Sequence, residues 1–298
     1  MSKLITAGFK RLFKLKSLYA CLAFIAFQLI INIGGESGLF EGHIGVRVTS
    51  GNMPENVSDT MRNLMLFTAD SHISEVSFLL IIAAAIVIGN LIGSEHSFGT
   101  IRNKLTVGHN RTEIYFANFI VSLTAVLMML VFGWVLIFAL ALPLGAQVVS
   151  PAGELITLFL LNVLYSLVIT AIFVFMAMNI LSKSTTLTLS ILIGGAALLL
   201  NVALSTQLSQ PEYVTPWNAH YDSEGNLISK EIHDPVPNPM YIGGIKRVIY
   251  ETIDTLLPCA AVTEYSGDVD VPKVITEIGE LVVFTAAGLS IFRRRDLK

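Results

Sequence analysis

The sequence predicts an all-α membrane protein: six transmembrane helices with an N-terminal amphipathic connecting helix, a cytoplasmic coupling helix and an outer amphipathic helix. It reads as one transmembrane domain over 1–298. Three observations predict this. The 298 residues are 53% hydrophobic and only 14% charged, with mean hydropathy +0.69, whereas soluble domains run to about a quarter charged. Six apolar stretches approach or exceed the ~20 residues needed to cross ~30 Å of hydrocarbon. Lysine and arginine also cluster in alternate connecting segments, 13 of 19 on one side, as the positive-inside rule requires of a multi-pass chain.

Taken in order, residues 1–17, "MSKLITAGFKRLFKLKS", place Ile5, Phe9, Leu12 and Phe13 at helical spacing, with Lys3, Lys10 and Lys14 away from them. Such a basic amphipathic helix lies along the inner membrane surface. A basic start before an apolar run also resembles a signal peptide. No small-residue cleavage site of the A-x-A kind follows, so a retained anchor is expected. The spans are then 18–35, 76–93, 114–142, 154–182, 184–205 and 272–292. From Ile114 to Gly153 no residue is charged, too long a stretch for one span, and Pro143, Gly145, Pro151 and Gly153 mark the loop that divides it. Lys183 alone separates spans four and five.

The basic cluster comprises the N-terminus, Arg102, Lys104, Arg111, Lys183 and the tail Arg293, Arg294, Arg295 and Lys298. That side is therefore cytoplasmic and holds both termini, in agreement with an even number of spans. Segments 36–75 and 206–271 lie outside. Within 206–271 a Pro-, Asp- and Asn-rich loop has its hairpin signal at "DSEGN". An amphipathic helix over 239–257 follows, with Asn238 as N-cap and Pro239 at the first helical position. The histidines His43, His72, His220 and His233 read as solvated, and no histidine forms a metal pair at helical spacing. Cys21 and Cys259 make no disulfide framework, and a net charge of −3 argues against nucleic acid.

The stretch "GSEHSFGTIRNKLTVGHNRTEIY", residues 93–115, is more than a connection. Residues 97–107 form a short cytoplasmic helix: Gly99 permits the turn out of the membrane, Thr100 offers a cap, and Gly108 stops it. Ile101 and Leu105 share a face flanked by Phe98, with Arg102, Asn103 and Lys104 elsewhere. The residues alone leave two readings open, an apolar face seated in a partner's groove or a basic helix resting on anionic lipid.

The stretch resembles the segment after the second span in ABC-2 type permeases, the membrane subunits of type V ABC exporters, of which bacterial peptide and drug exporters are examples. The basic N-terminal helix, the outer helix ending in "LLP" and the "FRRRD" tail are similar to that family too. The resemblance implies that Phe98, Gly99, Thr100, Ile101, Arg102, Asn103, Lys104 and Leu105 form the coupling helix that docks on an ATPase. Glu95 would then sit at the membrane exit and Arg111 at the foot of span three. It further implies two copies of a separate ATP-binding subunit, a second copy of this chain, and a bacterial cell membrane. ATP and Mg would sit on the ATPase, with no cofactor and no catalytic residue here. This chain lacks G-x-x-x-x-G-K-[ST] and has no P-loop of its own.

Candidate pathway residues are few. Glu277 and Glu280 lie roughly 8 and 12 Å into span six and share a face. Against lipid each costs about 2.5–3.5 kcal/mol at mid-helix, so both are expected to face the protein. Asn90, Asn118 and Asn162 are also candidates, although buried amides more often bond neighbouring helices. A stand-alone channel or secondary transporter is the alternative, disfavoured by the absence of internal repeats, and no H-E-x-x-H suggests intramembrane proteolysis. The ten acids in 206–271 against three bases suit the release of a cationic, amphipathic molecule and equally the ordinary solubility of an outer loop. The resemblance to ABC-2 permeases implies a substrate such as a peptide toxin, antimicrobial peptide or drug.

Overall fold

The computed structural model describes residues 1–37, 67–215, 217–221, 227–232, 234–258 and 268–295, and the structural statements below concern these. The protein is an all-α membrane protein. Helix α1 (Ser2–Leu12) leads into α2 (Lys16–Glu36), and a 3₁₀ turn (Asp70–His72) opens α3 (Ile73–Ser97). The short α4 (Thr100–Thr106) precedes α5 (Arg111–Ala141), α6 (Ala152–Asn179) and α7 (Lys183–Leu208). Strands β1 (Tyr213–Val214), β2 (Trp217–Tyr221), β3 (Leu227–Ile232) and β4 (Val236–Pro237) come before α8 (Gly244–Thr255) and α9 (Val271–Arg294). Helices α2, α3, α5, α6, α7 and α9 are long and apolar enough to cross a membrane, and their bounds fall within four residues of the six predicted spans.

Helix α3 is the hub of the bundle. It packs on α2, α5, α6 and α7, and 72% of its apolar stretch is buried, against 22% for α7 and 11% for α9. Small residues make this possible. Ala83, Ala84 and Ala85 are buried on α3. A Cβ at Gly89 would come within 2.9 Å of Leu187, and one at Gly93 within 3.1 Å of the Lys183 Cα. The Gly89–Gly93 pair, four apart, thus seats α7 against α3 at van der Waals distance, which is how helices associate where lipid removes the hydrophobic drive.

Amides and hydroxyls stitch the same bundle. Asn32 Nδ2 donates to Glu75 Oε2 at 2.9 Å, Ser77 Oγ to Asn162 Oδ1 at 2.7 Å, and Tyr165 Oη to the Ser77 carbonyl at 3.0 Å. These bonds join α2 to α3 and α3 to α6. At the end of the bundle away from α4, the loop after α5 is tied to the approach of α3. Gln147 and Phe67 to Ala69 exchange backbone bonds, and Asp70 Oδ2 accepts from the Ser150 amide and hydroxyl at 2.8 and 2.7 Å.

Three sequence expectations are corrected. Helix α1 buries Leu4, Gly8 and Leu12 most deeply, keeps Ile5 and Phe9 half-buried against the core, and leaves Phe13, expected on the same face, exposed. It packs on α5, with Gly8 so close to Val121 that a Cβ would stand 2.6 Å from its methyl. His72 is buried, with Glu75 at 3.1 Å and Glu36 at 3.4 Å. The 3₁₀ turn packs on the start of α3 and places the imidazole between Glu36 and Glu75. His43 and the side chains of His220 and His233 lie outside the described residues. Helix α8 begins at Gly244, not at 239. Asn238 instead takes up the preceding turn, its Oδ1 accepting from the Met240 amide and its Nδ2 donating to the Pro211 carbonyl, beside the β1–β4 pair. The hairpin signal at "DSEGN" has its counterpart in β2 and β3, which pair antiparallel on either side of those residues. Residues 222–226 themselves lie outside the described residues.

Helix α8 lies across the far ends of α7 and α9. Arg247 reaches the Leu208 carbonyl at 3.4 Å, and Lys273 Nζ meets Asp254 Oδ2 at 2.8 Å, both side chains of that ion pair being buried. Helix α9 packs on α6 and α5 through Gly288, where a Cβ would collide with the Tyr115 hydroxyl and approach the Phe175 Cα to 3.3 Å. Gly288→Ala is expected to destabilise the protein by about 1–3 kcal/mol through overpacking. The Tyr115 hydroxyl is buried without a hydrogen-bond partner among the described residues, so adding Tyr115→Phe should recover most of that loss. Thermal unfolding of the two variants in detergent measures both effects.

Candidate functional site

The chain leaves α3 through two glycines with left-handed backbone. Gly99 has φ +64 and precedes α4, and Gly108 has φ +95 and follows it. Neither has an atom within 4 Å of a would-be Cβ, so the backbone turn, not space, demands glycine. Gly99 is itself the N-cap, and no side chain caps the helix; Thr100 does not serve in that role. At the other end the Gly108 amide donates to Leu105 and the His109 amide to Lys104, at 3.0 and 3.1 Å. That pair of bonds is a Schellman closure, which satisfies the last carbonyls and redirects the chain into α5.

Between these turns α4 faces two ways. Ile101 is buried at 2% exposure, and Leu105 is half-buried against the core. The apolar face expected to seat in a partner is therefore spent on this chain's own bundle. Turned outward are Arg102, Asn103, Thr106 and Val107, together with Phe98 before the helix. Phe98 and Val107 are each 80% exposed, the apolar surface this end offers. The presented surface is thus the opposite face from the one expected.

Lys104 also turns inward, and its Nζ meets Glu95 Oε1 at 2.5 Å. Glu95 has no exposed side-chain surface. Arg11 of α1 pairs with the same carboxylate, and Asn118 of α5 donates to Oε2 at 3.0 Å. One buried carboxylate thus gathers α1, α3, α4 and α5. Burial lowers the pKa of Lys104, and the neighbouring Arg11 adds to this, while the attraction of Glu95 works the other way. Removing one partner of such a buried ion group strands the remaining charges, typically at about 3–5 kcal/mol.

Arg111 fixes a fifth element. Its guanidinium donates to the Phe292 carbonyl at 2.8 Å and to the Arg295 carbonyl, and lies 6.0 Å from the Phe292 ring centre. The last carbonyls of α9 carry the negative end of the helix dipole, so a cation there is favourably placed. Both chain ends therefore meet the bundle at the α4 end.

The remaining candidates disperse. Asn118 serves Glu95 and also lies 3.4 Å from the Met178 sulfur. Asn162 is committed to Ser77 and to the Leu158 carbonyl, and Asn90 donates to Ile86 within its own helix. These amides are occupied by helix bonding. Glu277 is buried at 1% exposure and Glu280 half-buried; they lie near the other end of α9, away from α4. Sequence reasoning missed Arg11 and the Gly89–Gly93 seat. The second had a signal in its small-x-x-x-small spacing, whereas nothing in sequence pairs residues 84 positions apart.

Residues 43–197, just over half of the chain, match the family described as ABC-2 family transporter protein. The chain belongs to that family. The matched region runs from before α3 into α7 and so contains Glu95, all of α4, Arg111 and Asn118. No curated protein matches the chain. As an ABC-2 transporter it is a multi-pass membrane protein and the permease part of an ABC transporter, a role that implies association with an ABC ATPase subunit.

For this permease, Glu95→Ala is expected to cost about 3–5 kcal/mol and Asn118→Ala about 1–3 kcal/mol. Denaturant or thermal unfolding in detergent reads both. A Glu95→Ala variant as stable as the parent would remove the carboxylate from its organising place.

Proposed function

We propose that the chain is the permease subunit of an ATP-driven exporter and that α4 is its coupling helix. In this reading two copies of the chain and two copies of a separate ATPase make the transporter, with ATP and Mg held by the ATPase. Both termini and α4 face the cytoplasm of a bacterial cell. The observation that carries the reading is the construction of α4. It is locked to α1, α3 and α5 from behind through Glu95, Lys104 and Ile101, while Phe98 and Val107 stand 80% exposed in front. A helix that only closed a loop would gain nothing from displaying two large apolar side chains on a rigid mount.

The substrate in this reading is amphipathic and cationic. Exposed Glu212, Glu251, Asp268 and Asp270 support it, as does a hollow of about 590 Å³ bordered by Arg247, Glu251, Asp254, Asp270 and Lys273 where α7, α8 and α9 meet. Glu277, one turn from Lys273 on α9, and Glu280 one turn further are the acids we assign to the pathway beneath that hollow. Excess negative potential at an exit raises the local concentration of a leaving cation and orients it.

Topology has a direct check. In a Cys259→Ser background, a cysteine at Met240 should react with an impermeant thiol reagent in intact cells, and one at Val107 only after permeabilisation. The reverse pattern would invert the orientation and with it the direction of export.

The docking face has its own test. Phe98→Ala with Val107→Ala should weaken ATPase association by about 2–4 kcal/mol from the lost apolar burial, roughly thirtyfold or more. Ile101→Ala should instead lower the stability of the permease by about 2–5 kcal/mol and leave the affinity of the folded fraction unchanged. Copurification of the ATPase at matched membrane levels separates the two. Full retention of the ATPase by the Phe98/Val107 double variant would end the coupling-helix reading.

A further inference from the structure

Between α5, α6 and α9 the bundle leaves an apolar hollow of about 470 Å³, open to the side and bordered by Phe116, Phe119, Leu167, Val282, Ala286 and Leu289. A second hollow, of about 560 Å³, continues from it along the same helix. Ala286 and Leu289 border both, and the second ends at Ser290, Arg293 and Arg294. Residues 282, 286, 289 and 293 fall three or four apart, so one face of α9 carries the whole groove. From Val282 to Arg293 it runs about 16 Å at ~1.5 Å per residue, about half the ~30 Å hydrocarbon core. The groove is therefore one leaflet deep, apolar along its length and doubly cationic at its foot.

We propose that this groove holds an anionic phospholipid of the leaflet that meets the foot of α9. One acyl chain lies along Phe116, Phe119 and Leu289, and the phosphate meets Arg293 and Arg294. Charge selects this occupant. Both arginines are exposed, and no described carboxylate forms an ion pair with either. A guanidinium presents a planar fork of donors that fits a phosphate, and basic pockets between spans at this depth suit acidic headgroups. Arg111, close by, is already committed to the carbonyls of Phe292 and Arg295. The acid one turn before Phe116, Glu113, has the His109 ring beside it at 3.4 Å. A second copy of the chain is a poor occupant, because a two-fold contact centred here sets each arginine pair against itself.

The test is native mass spectrometry of the full chain in detergent, equilibrated with equal amounts of phosphatidylglycerol and phosphatidylcholine. Phosphatidylglycerol adducts should predominate by roughly thirtyfold, the contribution of two surface cations. Arg293→Gln with Arg294→Gln should erase that preference and keep the adducts. Lys14→Gln with Lys16→Gln, which removes two exposed lysines elsewhere, should leave it intact. Ala286→Phe should fill the groove and expel both lipids while helical content by circular dichroism stays unchanged. Glycerol phosphate, a headgroup without chains, should not displace the lipid. Equal binding of the two lipids by the unaltered chain, a preference that survives the double glutamine variant, or displacement by glycerol phosphate overturns the proposal. So does loss of a dimer peak in place of lipid on Ala286→Phe, which makes the groove a contact between copies.

Discussion

A carboxylate without any exposed surface, Glu95, sits where the most buried helix leaves the apolar bundle. It is tolerable there only because Arg11, Lys104 and Asn118 converge on it. An isolated carboxylate in that setting would cost several kcal/mol, and no single partner would offset it. The requirement propagates outward. Arg11 can reach only if α1 lies against α5, which in turn needs Gly8 opposite Val121. Lys104 can reach only if α4 folds back at Gly99, and Asn118 only if α5 returns beside α3 after Gly108. Three distant segments are thus placed by one charge.

The rest of the bundle is held by weaker and more local devices. Glycines at 89, 93 and 288 bring helices close, and hydroxyl and amide groups at 77, 162 and 165 cross-link them. These contacts each contribute little; most centre on α3, while Gly288 seats α9 on α5 and α6, and together they leave α7 and α9 largely uncovered. The uncovered faces carry Leu192, Leu199, Val282 and Val283, which suits hydrocarbon and would be a liability in water. The far ends of α7 and α9 are instead joined through α8, by the Lys273–Asp254 pair and the Arg247 bond to Leu208.

How much of this was legible in the sequence follows from the length of each pattern. Spans of some twenty apolar residues announce themselves, since hydrophobicity summed over that length has few other meanings. Gly99 and Gly108 were readable as turns because a left-handed backbone has a strong residue preference. The seven-residue α4 was not readable in orientation: Ile101 and Leu105 four apart establish a shared face, but not whether it looks inward or outward. The same ambiguity blurred α1, where the buried stripe Leu4, Gly8 and Leu12 overlaps the expected face of Ile5, Phe9, Leu12 and Phe13 and only Phe13 falls clear of the core. Asn238–Pro239 satisfied the local preferences of a helix start, yet the β1–β4 pairing claimed that turn first. His72 was misread because its burial also depends on α2 bringing Glu36 beside it, which no local window contains. The Asn118–Glu95 bond failed to register for a related reason, as amides in a span look alike until the helices are placed.

The arrangement also constrains how the proposed coupling can work. Because Ile101 and Lys104 bind α4 to the bundle, a push on Phe98 and Val107 cannot be absorbed by the helix sliding on its own mount. It passes to α3 through Glu95 and to α1 through Arg11. Helix α3 touches α2, α5, α6 and α7, so those four must either follow it or slip against it. Slipping is resisted where glycine brings the surfaces into contact, at 89 and 93 against α7, since interdigitated contacts give way in steps rather than smoothly. Helix α9 is different: it packs on α6 and α5 rather than on α3, and at the α4 end Arg111 holds its last carbonyls. An input at α4 is therefore delivered strongly to α7 and indirectly to α9. Among the described residues α6 and α8 each touch both of those helices, α8 at the opposite end, so α8 is the far-end element that experiences the difference between them. A signal applied at one face of the membrane is in this way expressed as strain at the other, across a helix held by one buried ion pair.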